Sequence, residues 1–188
     1  MTFLSEPAET DQVRAMYDDD VADRGYVMDL TRAWAHLPDV NDAFVQAIGA
    51  ASADLSMRER GVLVNACAST MGDSYCALAW GRRFSDEAGT EAAVGVLTGT
   101  DAGLSDAERA LAAWARAVTS DPNGTTAADV EELRAAGYDD ARILAITVYV
   151  ALRRAFSTVN DALGAVPDVE LVAAAPPAVR DVVTWGRR

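Results

Sequence analysis

Histidine is almost absent from this sequence. His36 stands alone, so no metal site built from several imidazoles can form. Cysteine is scarce too: Cys67 and Cys76 make no Cys-x-x-Cys, no Cys/His cluster has zinc-like spacing, and a small secreted scaffold normally carries more cysteine. Both thiols are expected reduced and unbridged, with no bound metal and no cofactor. Positive charge is short as well, since 16 Lys and Arg face 29 Asp and Glu for a formal net charge of −13. A phosphate backbone or an anionic membrane would be repelled at long range, which argues against nucleic-acid and membrane partners. No apolar run approaches the roughly 18 to 20 residues of a membrane span. The start, Met1-Thr2-Phe3-Leu4-Ser5-Glu6, lacks the basic opening of a secretory signal. A cytoplasmic location is the expectation. Also missing is any sustained apolar/polar alternation between hairpin turns, so strands are not expected.

What the sequence does have is helix signals, on an ordinary globular balance of 51% hydrophobic and 24% charged residues. The expected organisation is one all-α domain over residues 1–188. It divides into an N-terminal helical layer (1–55), a core (56–164) and a tail with a short helix (165–188). The first helix starts near Thr10-Asp11, turns Val13, Met16, Tyr17 and Val21 to one face and stops at Gly25. A second covers about Val27 to His36. Pro38-Asp39 then opens a third, carrying Val40, Phe44, Val45 and Ile48. His36 is expected to cap a helix C-terminus with its ring, where partial negative charge favours it. Asp18-Asp19-Asp20 fans around a helix and reads as a solvated face.

Two capping boxes, Ser56-Met57-Arg58-Glu59 and Ser105-Asp106-Ala107-Glu108, mark helix starts at which hydroxyl and carboxylate satisfy each other's exposed amides. The helix from Ser56 runs to about Met71 and holds Cys67 in its core. Gly72-Asp73 ends it and starts the next, which places Asp73-Ser74-Tyr75-Cys76 at a helix N-terminus, and a further short helix is expected from about Asp86. Thr126 caps another helix, stopped by Gly137. Asp140 to Leu163 reads as the longest helix, apolar nearly all round through Ile143, Leu144, Ile146, Val148, Val150 and Leu152. More apolar surface than one buried stripe needs suits a subunit interface, so a closed homo-oligomer is expected. Pro176-Pro177 opens a terminal helix reaching about Trp185.

Two stretches carry a family likeness. The first is Arg58-Glu59-Arg60, an apolar helix, then Gly72-Asp73-Ser74-Tyr75-Cys76. The second is Leu104-Ser105-Asp106-Ala107-Glu108-Arg109, then Ala117-Val118-Thr119 and Val130-Glu131-Glu132-Leu133 with Gly137. In this order they resemble the carboxymuconolactone decarboxylase family, in its alkylhydroperoxidase D-like, peroxidase-related branch. The resemblance implies an oligomeric alkylhydroperoxidase D-like helical bundle, assembled as a dimer, trimer or hexamer. It also implies a redox site made of a glutamate, a Cys-x-x-Cys pair and a histidine. Setting Cys76 on the second cysteine puts Asp73 at the first, Trp80 at the histidine and Gly61 at the glutamate. Three of the four groups are therefore replaced. Glu59 is no substitute, because two residues at about 100° each turn it to nearly the opposite helix face.

A dithiol peroxidase needs a second sulfur to resolve its intermediate and a base to activate the first, and neither is in place. The leading expectation is a small-molecule enzyme with chemistry shifted away from the dithiol cycle. The alternatives are a non-catalytic oligomeric ligand-binding protein and a single-cysteine peroxidase that borrows an external thiol. Cys76 and Asp73 are the candidate catalytic residues, and Trp80 and Tyr75 the candidate walls of a small-molecule pocket. Each has a plainer reading: Cys76 as a small helix residue, Asp73 as an N-cap, Trp80 as packing volume and Tyr75 as core. A helix start favours a thiolate, while a carboxylate beside it opposes one.

Overall fold

A computed structural model describes residues 2–187; Met1 and Arg188, the two ends of the expected domain, lie outside the described residues. Among those residues every regular element is helical. The order is α1 (Asp11–Arg24), α2 (Asp29–Trp34), α3 (Pro38–Ala51), α4 (Met57–Met71), α5 (Ser74–Ala88), α6 (Thr90–Thr98), α7 (Asp106–Ser120), α8 (Ala127–Ala135), α9 (Asp140–Ala162), α10 (Val169–Ala174) and α11 (Pro177–Val182). Most starts follow from local chemistry. Thr10, Ser56, Asp73, Ser105, Thr126 and Asp139 each accept an amide of the first turn on a side-chain oxygen, and the boxes at Ser56, Ser105 and Thr126 are closed on both sides. Each such cap stabilises its helix by about 1 kcal/mol.

Helix α4 is the hub. It packs against α5, α6, α7 and α9, and its residues from Gly61 to Ala68 are all buried. The stretch Arg58-Glu59-Arg60 clamps that hub in place. Arg58 pairs with Glu108 at the start of α7, Glu59 accepts from Arg142 (2.9 Å) and the Tyr138 hydroxyl (3.1 Å), and Arg60 donates to the Ser52 carbonyl at 2.6 Å. Helix α3 lies on α9, and α10 and α11 close over α5.

Several boundaries and faces differ from the sequence reading. No helix starts at Asp86: α5 continues to Ala88, and the break comes at Gly89, whose φ of 88° a side chain rarely tolerates. Helix α10 was not anticipated, and α11 stops at Val182, short of Trp185. In the N-terminal layer α2 is largely buried, whereas α1 buries only Val13 and α3 buries no residue. Val21, Val40 and Val45 are exposed, since that layer meets the core along one side only. The His36 ring reaches the Ser5 carbonyl (2.9 Å) in the N-terminal segment and does not cap a helix. Asp20 is half-buried, accepting the Met28 amide at 2.9 Å. Cys67 and Cys76 are free and buried.

Candidate functional site

The turn between α4 and α5 sets the first part of the site. Asp73 Oδ1 accepts the Cys76 amide at 2.9 Å, which fixes the first turn of α5 and holds the carboxylate beside the thiol. Asp73 is wholly buried, and its Oδ2 has no hydrogen-bond partner. Cys76 is almost as enclosed. Burial pushes its thiol well above the ordinary range, the Asp73 carboxylate adds to the shift, and Arg153 opposes it. Both burial and the carboxylate favour the neutral thiol.

Helix α9 supplies the second part. Arg153 Nη2 donates to Cys76 Sγ at 3.3 Å, and the Ser157 hydroxyl lies 3.9 Å from the same sulfur. One turn on, Asn160 Oδ1 accepts the Trp34 indole N–H at 2.9 Å. Arg153, Ser157 and Asn160 are all buried. Sequence reading missed them. The available signal was periodicity: Ile143, Ile146 and Val150 form a buried stripe whose next members at helical spacing are Arg153, Ser157 and Asn160. A core stripe that turns polar for two turns has something polar to face.

Cys76 forms part of the wall of a cavity of about 540 Å³, with Tyr75, Trp80 and Arg153 around it. The cavity thus brings together three of the four candidate residues. Asp73 is not part of its lining and touches it only through Cys76. Tyr75 presents its ring, while its hydroxyl donates to Asp168, so it ties α5 to the start of α10. Burial, with Asp168 beside it, drives the phenol far above its normal range, which favours its neutral form. Trp80 has two cations at its ring: Arg83 at 5.2 Å and Arg153 at 5.5 Å from the centroid.

The position aligned with a glutamate is closed. A Cβ on Gly61 would stand 2.5 Å from Phe84 Cδ2 and 2.7 Å from Cγ, so the Phe84 ring fills the space that a side chain there would need. Cys67 is core, with burial raising its thiol, and its sulfur lies 4.0 Å from that of Met71. Among the described residues no group of three or more His, Cys, Asp or Glu is placed to hold a metal ion, and no helix is long and apolar enough to cross a membrane.

No protein-family model matches the sequence, and no curated protein matches it. Solved structures do. The alkylhydroperoxidase AhpD core of an uncharacterized peroxidase-related protein from Ralstonia eutropha superposes with a TM-score of 0.80 at 23% identity, covering 90% of this chain and 94% of that one. A peroxidase-related protein from a Silicibacter species gives 0.81 at 21% identity over 90% and 93%. The debrominase Bmp8, as a cysteine-to-alanine variant in complex with 2,3,4-tribromopyrrole, gives 0.74 at 15% identity over 93% and 97%. On this likeness the chain has the helical fold of the alkylhydroperoxidase AhpD core.

Proposed function

We propose that the chain is a small-molecule enzyme whose reacting group is the single thiol of Cys76, and that it is not a dithiol peroxidase. The observation that carries this reading is the setting of Cys76 Sγ. It borders a cavity, with the Arg153 guanidinium 3.3 Å away and the buried carboxylate of Asp73 acting on it. To attack an electrophile the sulfur must shed its proton, and Asp73 is the acceptor within the enclosed site. The transfer moves one negative charge from Asp73 to Cys76 and leaves the total unchanged, so no net charge is created in a low-dielectric space. It also removes the repulsion that holds the thiol neutral at rest. Arg153 then faces the new thiolate, and the rings of Tyr75 and Trp80 hold the ligand. The debrominase neighbour, solved with a small flat halogenated ring, supports a ligand of that size.

The test is alkylation of the folded protein by iodoacetamide, with the site located by mass spectrometry. Cys76 reacts and Cys67 does not. With an internal base the rate is nearly flat across neutral pH. In Asp73→Asn, which keeps a cap, the rate at the low end falls and climbs with pH as hydroxide takes over. Identical profiles for the two proteins overturn Asp73 as acceptor. A Cys76 that alkylates only on unfolding favours the second reading, a non-catalytic ligand-binding protein, for which the raised thiol is the supporting observation.

The proposal includes a homo-oligomer. Leu144 and Val148, one turn apart on α9, are 65% and 41% exposed, apolar surface that a second copy of the chain would cover.

A further inference from the structure

The cavity beside Cys76 is cationic in a chain of net charge −13, and the local excess is built from one residue type. The sequence has no lysine, so all 16 basic residues are arginine. Among the described residues, two arginines that form no ion pair with a carboxylate meet in the cavity lining. Arg153 is 8% exposed, its Nε has no partner, and its hydrogen bond goes to the Cys76 sulfur. Arg83 makes no hydrogen bond or ion pair among the described residues and rests its head against Trp80. Its side chain is exposed at the rim, and partial burial, with the guanidiniums of Arg24, Arg153 and Arg82 nearby, pushes its pKa down. The acids bordering the cavity, Asp23, Asp86 and Glu170, are exposed and form no ion pair with either arginine. A buried guanidinium with unused donors beside a void is a vacancy for an anion, because its forked donors match two carboxylate oxygens.

The rest of the cavity says what the anion is attached to. Trp80, Tyr75 and Phe156 put three aromatic rings in its lining. Arg153 already lies over two of them, 5.5 Å from the Trp80 centroid and 5.1 Å from that of Phe156. A flat apolar body fits between such rings, and inorganic phosphate alone would leave them uncovered.

We propose that the Cys76 cavity takes a small planar organic carboxylate, its charged group held by Arg153 and Arg83 and its ring laid against Trp80. This names the substrate class of the single-thiol enzyme and rests on that reading for the chemistry, while the binding stands independently of it.

Binding is therefore tested without any reaction. Titration calorimetry of the full chain uses benzoate, benzyl alcohol and inorganic phosphate as probes. Benzoate binds, and the neutral alcohol and phosphate each bind at least about tenfold more weakly. Arg153→Gln and Arg83→Gln each weaken benzoate at least about tenfold and leave benzyl alcohol unchanged. Benzyl alcohol binding as tightly as benzoate, no benzoate binding, or benzoate indifferent to both substitutions overturns the proposal. Phosphate equal to benzoate overturns the planar body. Because Arg83 is on the rim, Arg83→Gln keeps the test valid should Arg153→Gln fail to fold. Benzoate that binds to a chain whose Cys76 resists iodoacetamide sinks the thiol chemistry and leaves the carboxylate site standing. Alkylation without benzoate binding does the reverse.

Discussion

The two flanks of Cys76 have opposite characters. On the α4 and α5 side stand Gly61 and Trp80, which carry no acid-base group, with the Phe84 ring pressed against Gly61. On the α9 side stand Arg153, Ser157 and Asn160, all buried and polar. One flank has been filled with carbon while the other brings a cation to 3.3 Å from the sulfur. The lesson is that a site read from one helix is incomplete, because a neighbouring helix can face the same atom with different chemistry. The thiol is pushed up first by its burial and then by the Asp73 carboxylate, with Arg153 on the α9 flank opposing.

Placing a side chain on the filled flank has the largest expected effect. Gly61→Glu drives a carboxylate into the Phe84 ring inside the α4 hub, and should cost roughly 3 kcal/mol or more through overpacking and buried charge. Gly61→Ala should cost about 1 to 3 kcal/mol from overpacking alone. Urea denaturation measures both, and Phe84→Ala added to Gly61→Glu should recover part of the loss. Wild-type stability for Gly61→Glu would mean that this flank is open, and the contrast would fail.

The fold was legible in the sequence because its signals are local. Capping at Ser56, Ser105, Thr126 and Thr10 is decided within four residues, so reading them needed no tertiary knowledge. Where a boundary depended on something weaker, the reading slipped. Asp86 resembles a cap, but α5 holds Phe84 in the core and continues until Gly89 breaks it. The site was half legible. Cys76 and Trp80 are named from the family resemblance and Tyr75 from its place at the same helix start, and all three line one cavity. The α9 residues were not, because a sequence does not say which face of an apolar helix looks at a sulfur 77 positions away. For the same reason Leu144 and Val148 could be recognised as surplus apolar residues, yet only packing assigns them outward and Ile143, Ile146 and Val150 inward.

Asp73 caps α5 beside the thiol, and removing it has an intermediate effect. Asp73→Ala loses the bond to the Cys76 amide and should destabilise by about 0.5 to 2 kcal/mol, whereas Asp73→Asn still caps and should cost only a few tenths. Thermal melts of the two variants decide it. An equal loss for both would mean that the buried charge matters more than the cap, and would sharpen the electrostatic side of the comparison.

The smallest expected effect tests whether the flanks are coupled. Asp161, in the last turn of α9, has its carboxyl pushed up to about 6 from 3.8, first by burial and then by the charge of Asp73, with Arg187 opposing. A carboxyl whose folded pKa lies above its unfolded one is a group the folded chain prefers protonated. Its contribution is therefore most favourable below the unfolded value and is lost as pH rises through about 6. Asp161→Asn, which mimics the protonated state, should leave stability unchanged near pH 4 and raise it above pH 6. The gain should stay below about 1 kcal/mol, because a half-exposed group is screened by solvent. Melting temperatures of the variant and the parent across that range measure the difference. Repeating the substitution in an Asp73→Asn background isolates the coupling. With the Asp73 charge gone, less of the shift remains to be relieved, so the gain at neutral pH should shrink. A gain of the same size in both backgrounds would mean that burial alone raises Asp161. Asp73 would then act on Cys76 without reaching the polar face of α9.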